Sequence, residues 1–183
     1  MRIISGYYKG RRLDTPKNLN LRPTTDMAKE SLFNVLRNML DFDEIEALDL
    51  FSGTGSISYE LVSRGALNVL AVEQNSQQIR FIESVIQKLN MDNLRLLRMN
   101  VFEFFKTNKR SFDLVFADPP YDMAEFDTIP DLVFRHKLIN EGGVFVLEHP
   151  KHSSYTEHPH FYEHRNYGSV NFSFFMNKED LAK

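Results

Sequence analysis

The 183-residue chain is 42% apolar, carries a net charge of −3 at neutral pH and contains no cysteine. Its length and apolar content suit a single domain with one core, and the missing thiols exclude disulfides, thiolate metal sites and cysteine nucleophiles. No apolar run is long enough to cross a bilayer, and Met1-Arg2-Ile3-Ile4-Ser5-Gly6 lacks the apolar segment of a signal peptide, so the chain is expected in the cytoplasm with no membrane partner.

A net negative charge is unusual for a nucleic-acid binder, so such a role has to rest on where the charges lie. Up to Arg22 the bases Arg2, Lys9, Arg11, Arg12, Lys17 and Arg22 stand against Asp14 alone, whereas Asp41 to Glu46 is acidic. This flank suits a phosphate backbone; a solvated hairpin is the alternative. A β-like apolar start, Gly6 and Gly10 as turn points and a second apolar stretch near Leu13 predict a small hairpin over 1–13. After Pro16 and Pro23, Thr24 or Thr25 is placed to cap a helix. Its apolar positions, Met27, Leu32, Phe33, Leu36 and Met39 or Leu40, recur at helical spacing, and the helix is expected to end near Asp41. Residues 1–41 would then be an extension of a core spanning 42–183.

Beyond it, strand and helix alternate, the pattern of a parallel sheet with helices on both faces. The predicted units are a strand at Ala47 to Phe51, a helix from Ser56 to Arg64, a strand at Val69 to Val72 and an amphipathic helix from Ser76 to Leu89. That helix has Ile79, Ile82, Val85, Ile86 and Leu89 on one stripe. A strand near Leu94 to Leu97 and a short helix around Phe102 to Phe105 follow, then the strand Leu114 to Ala117. Loop and helix occupy 122–138, Gly142-Gly143 turns the chain, and Val144 to Leu147 is a fifth buried strand. Phe161 to His164 and Val170 to Met176, parted by Asn166-Tyr167-Gly168, read as a β-hairpin.

Two stretches carry chemistry. Leu48-Asp49-Leu50-Phe51-Ser52-Gly53-Thr54-Gly55-Ser56 is a strand running into a glycine loop that opens a helix, where Gly53 and Gly55 allow close backbone approach to a ligand. Glu73 ends the next strand at close to the ~20-residue offset at which an acid accepts ribose hydroxyls. A dinucleotide fingerprint would have glycine where Ser58 stands, and Asp49 would repel phosphate while attracting an ammonium or sulfonium group. S-adenosylmethionine is therefore the expected cofactor; a dinucleotide or a loop without ligand are the alternatives. In the second stretch, Pro119 and Pro120 cannot donate the hydrogen bonds that would extend the strand ending at Ala117. If that strand is central, Asp118 and Tyr121 sit at the carboxyl edge, where open α/β sheets bind ligands. An ordinary strand-ending turn is the other reading.

Taken in order, Asp49 to Gly55, Glu73, Asn100 and Asp118-Pro119-Pro120-Tyr121 resemble the motifs of class I methyltransferases acting on an exocyclic amine. Arg2-Ile3-Ile4-Ser5-Gly6, Gly10-Arg11-Arg12-Leu13, Leu21-Arg22-Pro23-Thr24-Thr25 and Glu30-Ser31-Leu32-Phe33-Asn34 narrow the likeness to the RsmD family, the 16S ribosomal RNA guanine-N2 methyltransferases. It covers nearly the whole chain. The resemblance implies an α/β, Rossmann-like class I methyltransferase fold: a seven-stranded, mostly parallel sheet with a C-terminal antiparallel hairpin, plus a small N-terminal β-hairpin and helix. It further implies S-adenosylmethionine as donor, S-adenosylhomocysteine as product, no metal, and one guanine of 16S RNA in small ribosomal subunit particles as acceptor.

By residue, the resemblance assigns Asp49, Phe51, Gly53 and Gly55 to the methionine part, Glu73 to the ribose, and Asn100 with Val101 to the adenine edge. Asn100 departs from an Asp common in the family, but an amide both donates and accepts. Thr24 and Thr25 would close over the methionine end, and Asp118 would lie against the donor. Arg2, Lys9, Arg11, Arg12 and Arg22 would hold RNA, with Tyr121 stacking on a flipped base. The guanine N2 lone pair is delocalised and weakly nucleophilic; acceptors at the Asp118 carboxylate and the Pro119 carbonyl would hold its hydrogens and aim it at the methyl group, with Pro120 stiffening the corner. DNA adenine-N6 methylation and a non-catalytic assembly role are the competing functions, and a small single domain is expected to act as a monomer. His149, His152, His158, His160 and His164 fit no zinc spacing and read as a solvated, pH-sensitive loop.

Overall fold

The computed structural model describes residues 1–16 and 25–182. Seven strands form one sheet: β1 (Glu46–Leu50), β2 (Asn68–Glu73), β3 (Leu94–Arg98), β4 (Phe112–Ala117), β5 (Ile139–His149), β6 (Phe161–Tyr167) and β7 (Val170–Met176). Their order across the sheet is β3-β2-β1-β4-β5-β7-β6, so β3 and β6 are its edges. The first five strands pair in parallel, and β7 runs antiparallel to both β5 and β6. Order reverses between β1 and β4, and ligands of open α/β sheets bind outside the carboxyl ends at such a switch.

Alternation along the central strands splits the core. Ala47, Leu114, Phe116, Val144 and Val146 pack on one face with helices α1 (Asp26–Leu36), α2 (Ser56–Ser63) and α3 (Ser76–Leu89). Leu48, Leu50, Val115, Ala117, Phe145 and Leu147 pack on the other, under α4 (Val101–Thr107) and α5 (Ile129–Arg135). Side chains two residues apart share a face of a strand, so Asp49 is on the α2 side. A short helix α6 (Lys178–Leu181) follows β7.

The expected strands and helices form, with four departures, the first being that Asn166 and Tyr167, expected in the hairpin turn, are paired with Asn171 and Val170 inside β6 and leave Gly168-Ser169 as the turn. Helix α1 is capped by Thr25, whose side chain accepts the Ala28 N–H at 3.1 Å, but it ends at Leu36. Three-residue bonds from Asn38 to Val35 and from Met39 to Leu36 tighten the chain there. Its buried stripe is Ala28, Lys29, Leu32, Phe33 and Leu36, while Met27 stays 65% exposed. Gly142 and Gly143 lie inside β5: Ile139 faces Phe112 and Val144 faces Leu114, so residues 140–143 bulge outward within the strand and do not precede it. The N-terminal hairpin contracts to one antiparallel bridge, Arg2 with Arg12, flanked by bonds from Ile3 N to Arg11 O and from Leu13 N to Met1 O.

Candidate functional site

At the end of β1 the backbone turns left-handed at alternate residues: Phe51 (φ 57°), Gly53 (57°) and Gly55 (80°). Ser52 N bonds to Val72 O at 3.0 Å, and Gly55 N to Ser52 O at 2.7 Å. The two glycines serve different ends. A Cβ on Gly53 would meet only Phe51 O, 3.9 Å away, whereas one on Gly55 would come 2.7 Å from Cζ of the buried Tyr59. Gly53 faces a cavity; Gly55 lets the loop close on α2.

Glu73, 7% exposed, joins that loop to the end of β2. Its Oε2 accepts the Gly53 N–H at 2.8 Å, and its Oε1 accepts Gln74 N and Asn75 N, both at 2.8 Å. Parallel register sets this up, because Leu50 lies opposite both Val72 and Ala117, so that Phe51, Glu73 and Asp118 leave the sheet at one level.

Between these strand ends lies a cavity of about 580 Å³, within the range of small-molecule sites. Phe51 and Gly53, then Val72 and Glu73, then Met99 and Val101 form one part of its wall; Asp118, Pro119, Pro120, Tyr121 and Glu148 form the other. Its described lining carries the carboxylates of Glu73, Asp118 and Glu148 and no Lys, Arg or His. Such a wall favours a cationic ligand and disfavours a pyrophosphate. Glu73 is placed to accept a diol, and the apolar groups at Val72, Met99 and Val101 to cover a flat base, so the residues present fit S-adenosylmethionine. At the far end, Tyr121 donates its hydroxyl proton to Glu148 Oε1 at 3.4 Å.

Other expected site residues lie behind this wall. Asp49 is 1% exposed, and its Oδ2 accepts both Ser58 N (3.1 Å) and Ser58 Oγ (2.5 Å), so its carboxylate anchors the start of α2 and is absent from the cavity lining. Burial pushes its pKa up to about 7 despite these bonds, which favour the charged form. Asn100 caps α4, accepting Phe102 N at 2.8 Å, and donates to Gln74 Oε1 at 2.9 Å; Gln74, next to Glu73 in the chain, reaches the cavity in its place. Thr25 is engaged in capping α1, and Gly55 in packing. Lys17, Arg22 and Thr24 lie outside the described residues. Glu148 and Gln78 line the cavity without having been expected there. Glu148 was legible in principle, as the residue after a buried run beside the strand that ends at Ala117.

The basic N-terminal segment is clamped to α2. Glu60, fully buried, accepts Ile4 N and Ser5 N and pairs with Arg64 Nε at 2.9 Å. Lys29, 1% exposed, donates to Arg2 O at 2.6 Å and Ser56 Oγ at 3.2 Å and lies 3.7 Å from Glu60. Burial pulls the Lys29 pKa down, and Glu60 works against that. Gly6 abuts the same helix so closely that a Cβ would stand on Ser63 O. Lys9, Arg11 and Arg12 remain exposed, as does Arg2, which pairs with Asp26 at 3.2 Å.

The histidines are not one solvated loop. His149 is 1% exposed and bridges Ser173 Oγ and Pro150 O, and burial lowers its pKa; His160 stacks on Phe134 at 3.7 Å. His152 and His164 are exposed. Among the described residues, no three His, Asp or Glu side chains are grouped to hold a metal ion, and no helix is long and apolar enough to cross a membrane.

A family model described as "Conserved hypothetical protein 95" matches residues 1–176. The ribosomal RNA small subunit methyltransferase D of Buchnera aphidicola (subsp. Baizongia pistaciae) is 32% identical over 148 residues, covering 81% of this chain and 75% of that protein. Its Haemophilus influenzae namesake is 30% identical over 155 residues, 82% of this chain and 79% of that one. In structure, a hypothetical protein of Thermus thermophilus superposes with a TM-score of 0.86 at 25% identity, over 96% of this chain and 99% of the other.

Proposed function

Because the chain belongs to the RsmD-like family of class I methyltransferases, we propose that it methylates the exocyclic N2 of one guanine in 16S ribosomal RNA, with S-adenosylmethionine as donor. One juxtaposition carries this reading: Gly53 and Glu73 share a cavity with Asp118, Pro119, Pro120 and Tyr121. A donor grip and an amine corner thus meet at one rim of the sheet.

S-adenosylmethionine, when bound, supplies a sulfonium-activated methyl group and leaves as S-adenosylhomocysteine. Glu73 accepts the ribose hydroxyls, its carboxylate held in place by Gly53, Gln74 and Asn75. Val72, Met99 and Val101 cover the adenine, and the Asn100 to Gln74 bond fixes the amide beside its edge. The loop from Phe51 to Gly55 lies along the methionine part, Asp49 acting on it through Ser58 and α2.

Asp118 and the Pro119 carbonyl accept the hydrogens of the guanine amine. That holds the nitrogen lone pair toward the methyl carbon, a gain from orientation and fixed dipoles, not from an activated nucleophile. After transfer, the Asp118 carboxylate is placed to take the proton that the product amine loses. Tyr121 stacks on the flipped base, a contact worth ~1–3 kcal/mol by analogy with single-strand binders. Arg2, Lys9, Arg11, Arg12 and Arg22 hold the phosphates around it, and the protein works as a monomer on small-subunit particles in the cytoplasm.

The test is transfer of labelled methyl to small-subunit particles, naked 16S RNA and duplex DNA, followed by nucleoside analysis. N2-methylguanine from the ribosomal substrates is expected. Label in N6-methyladenine overturns the acceptor, and failure of the donor to bind in calorimetry overturns the enzyme.

A further inference from the structure

Glu148 has no part in the roles above, yet it occupies the amine end of the cavity. Ala117 of β4 lies opposite Leu147 of β5, so Asp118, just past the end of β4, and Glu148, still within β5 and opposite Phe172 of β7, are the next residues on two neighbouring parallel strands. Both line the cavity with Pro119, Pro120 and Tyr121. Glu148 is 3% exposed, and the Tyr121 hydroxyl reaches its Oε1. With two oxygens and about four lone-pair sites, a buried carboxylate at a pocket wall can meet a ligand donor in addition to a protein one.

The edge of the base decides which donors suit it. Beside its N2 amine, guanine presents an N1–H donor. A purine with an amine but an unprotonated N1 presents an acceptor, and an acceptor against a buried carboxylate leaves two lone-pair groups facing each other. Sites built to meet a substrate N–H reject the analogue lacking it far more strongly than apolar pockets reject a missing methylene.

We propose that Glu148 is the residue that selects guanine: its carboxylate accepts the N1–H of the base whose N2 amine is held by Asp118 and the Pro119 carbonyl. The assignment rests on the guanine-N2 reading above and adds the means of discrimination. Tyr121 then has two tasks, its ring against the face of the base and its hydroxyl fixing the Glu148 carboxylate.

The experiment first maps the methylated guanine in small-subunit particles. It then compares particles reconstituted with guanine or 2,6-diaminopurine at that position; the analogue keeps the 2-amine but has an acceptor at N1. Wild-type protein is expected to prefer guanine by at least ~10²-fold. Glu148→Gln, whose amide can accept from N1–H or donate to an unprotonated N1, should gain on the analogue and erase the preference, whereas Glu148→Leu, which can do neither, should lose guanine transfer by a similar factor, both with unchanged calorimetric affinity for S-adenosylmethionine. Tyr121→Phe should slow both substrates and keep the preference for guanine.

A Glu148→Gln variant that keeps the full preference for guanine, or a Glu148→Leu variant that lowers both substrates in parallel, overturns the assignment and leaves Glu148 a support for Tyr121. Should these variants fail to fold, equal wild-type transfer to guanine and 2,6-diaminopurine overturns it just as well. Wild-type protein that yields no N2-methylguanine on any particle is a different outcome, which removes the underlying function and this inference with it.

Discussion

The Oε2 atom of Glu73 accepts the N–H of Gly53 at 2.8 Å, so the acid that ends β2 holds the loop that ends β1. One carboxylate is thus both a wall of the donor cavity and the anchor of the glycine loop beside it. Charge-assisted hydrogen bonds are worth ~1.5–3 kcal/mol each. Glu73→Ala should therefore weaken S-adenosylmethionine binding by ~10²-fold and lower the melting temperature as well. Calorimetry with unchanged affinity would place the ribose elsewhere.

Asp118 sits at the opposite end of the same cavity, in the part assigned to the acceptor. Asp118→Ala should leave donor affinity within a few-fold of wild type and reduce methyl transfer by ~10²-fold or more, the usual scale for removing one preorganised polar group. Loss of donor binding and turnover in equal measure would make Asp118 a cofactor ligand.

Asp49 ties pH to stability. Burial pushes its carboxyl up to about 7, while an exposed aspartate titrates near ~3.9. Between those values the folded chain keeps a proton that the unfolded chain has released. The group's contribution to stability is therefore full below the lower value, declines as pH rises and is lost above the upper one, at ~1.4 kcal/mol per unit of difference. Asp49→Asn does not titrate, so its melting temperature should gain on wild type as pH is raised from 5 to about 8. Parallel curves would show that Asp49 stays charged throughout.

The clamp beneath the N-terminal segment predicts an asymmetry. Glu60 serves Ile4, Ser5, Arg64 and Lys29 at once, so Glu60→Ala strands a buried ammonium and two backbone N–H groups. Breaking a buried pair in this way costs ~3–5 kcal/mol. Lys29→Met keeps volume and leaves Glu60 its other partners, so it should cost less than half as much in urea unfolding. Equal costs would mean that the pair, not the network, holds the segment.

Arg11 and Arg12 are exposed on that clamped segment, and their reversal to Glu is expected to leave the melting temperature unchanged. RNA affinity should fall, and the slope of log affinity against log salt should flatten by ~1 for each phosphate contact removed. An unchanged slope would move the RNA surface to another part of the molecule.

What could be read from the chain followed from two periodicities. Apolar spacing located every strand and the bounds of α3, and strand endings at Glu73 and Ala117 located both halves of the cavity, because parallel strands bring their carboxyl ends to one edge. Hydropathy could not reveal Lys29, since a base on a buried stripe reads as solvent-facing until its partner, Glu60, is found far along the chain. Nor does local spacing tell that Asp49 bonds to Ser58 and so faces away from the cavity; that depends on which side of the sheet α2 covers. Glu148 could be placed by the buried run before it, but its chain neighbours include a histidine-rich stretch that draws attention away, while Asp118 and Tyr121 are its neighbours only in space.

Both borders of the sheet are dressed against association. At one, β3 exposes Arg95 and Arg98; at the other, β6 exposes His164 and Arg165, the latter paired with Glu163. Charged side chains on an unpaired ladder make a poor template for a further strand. Addition of a strand from another copy would have to bring these charges into a continuous ladder, so growth of the sheet from molecule to molecule is disfavoured at both ends.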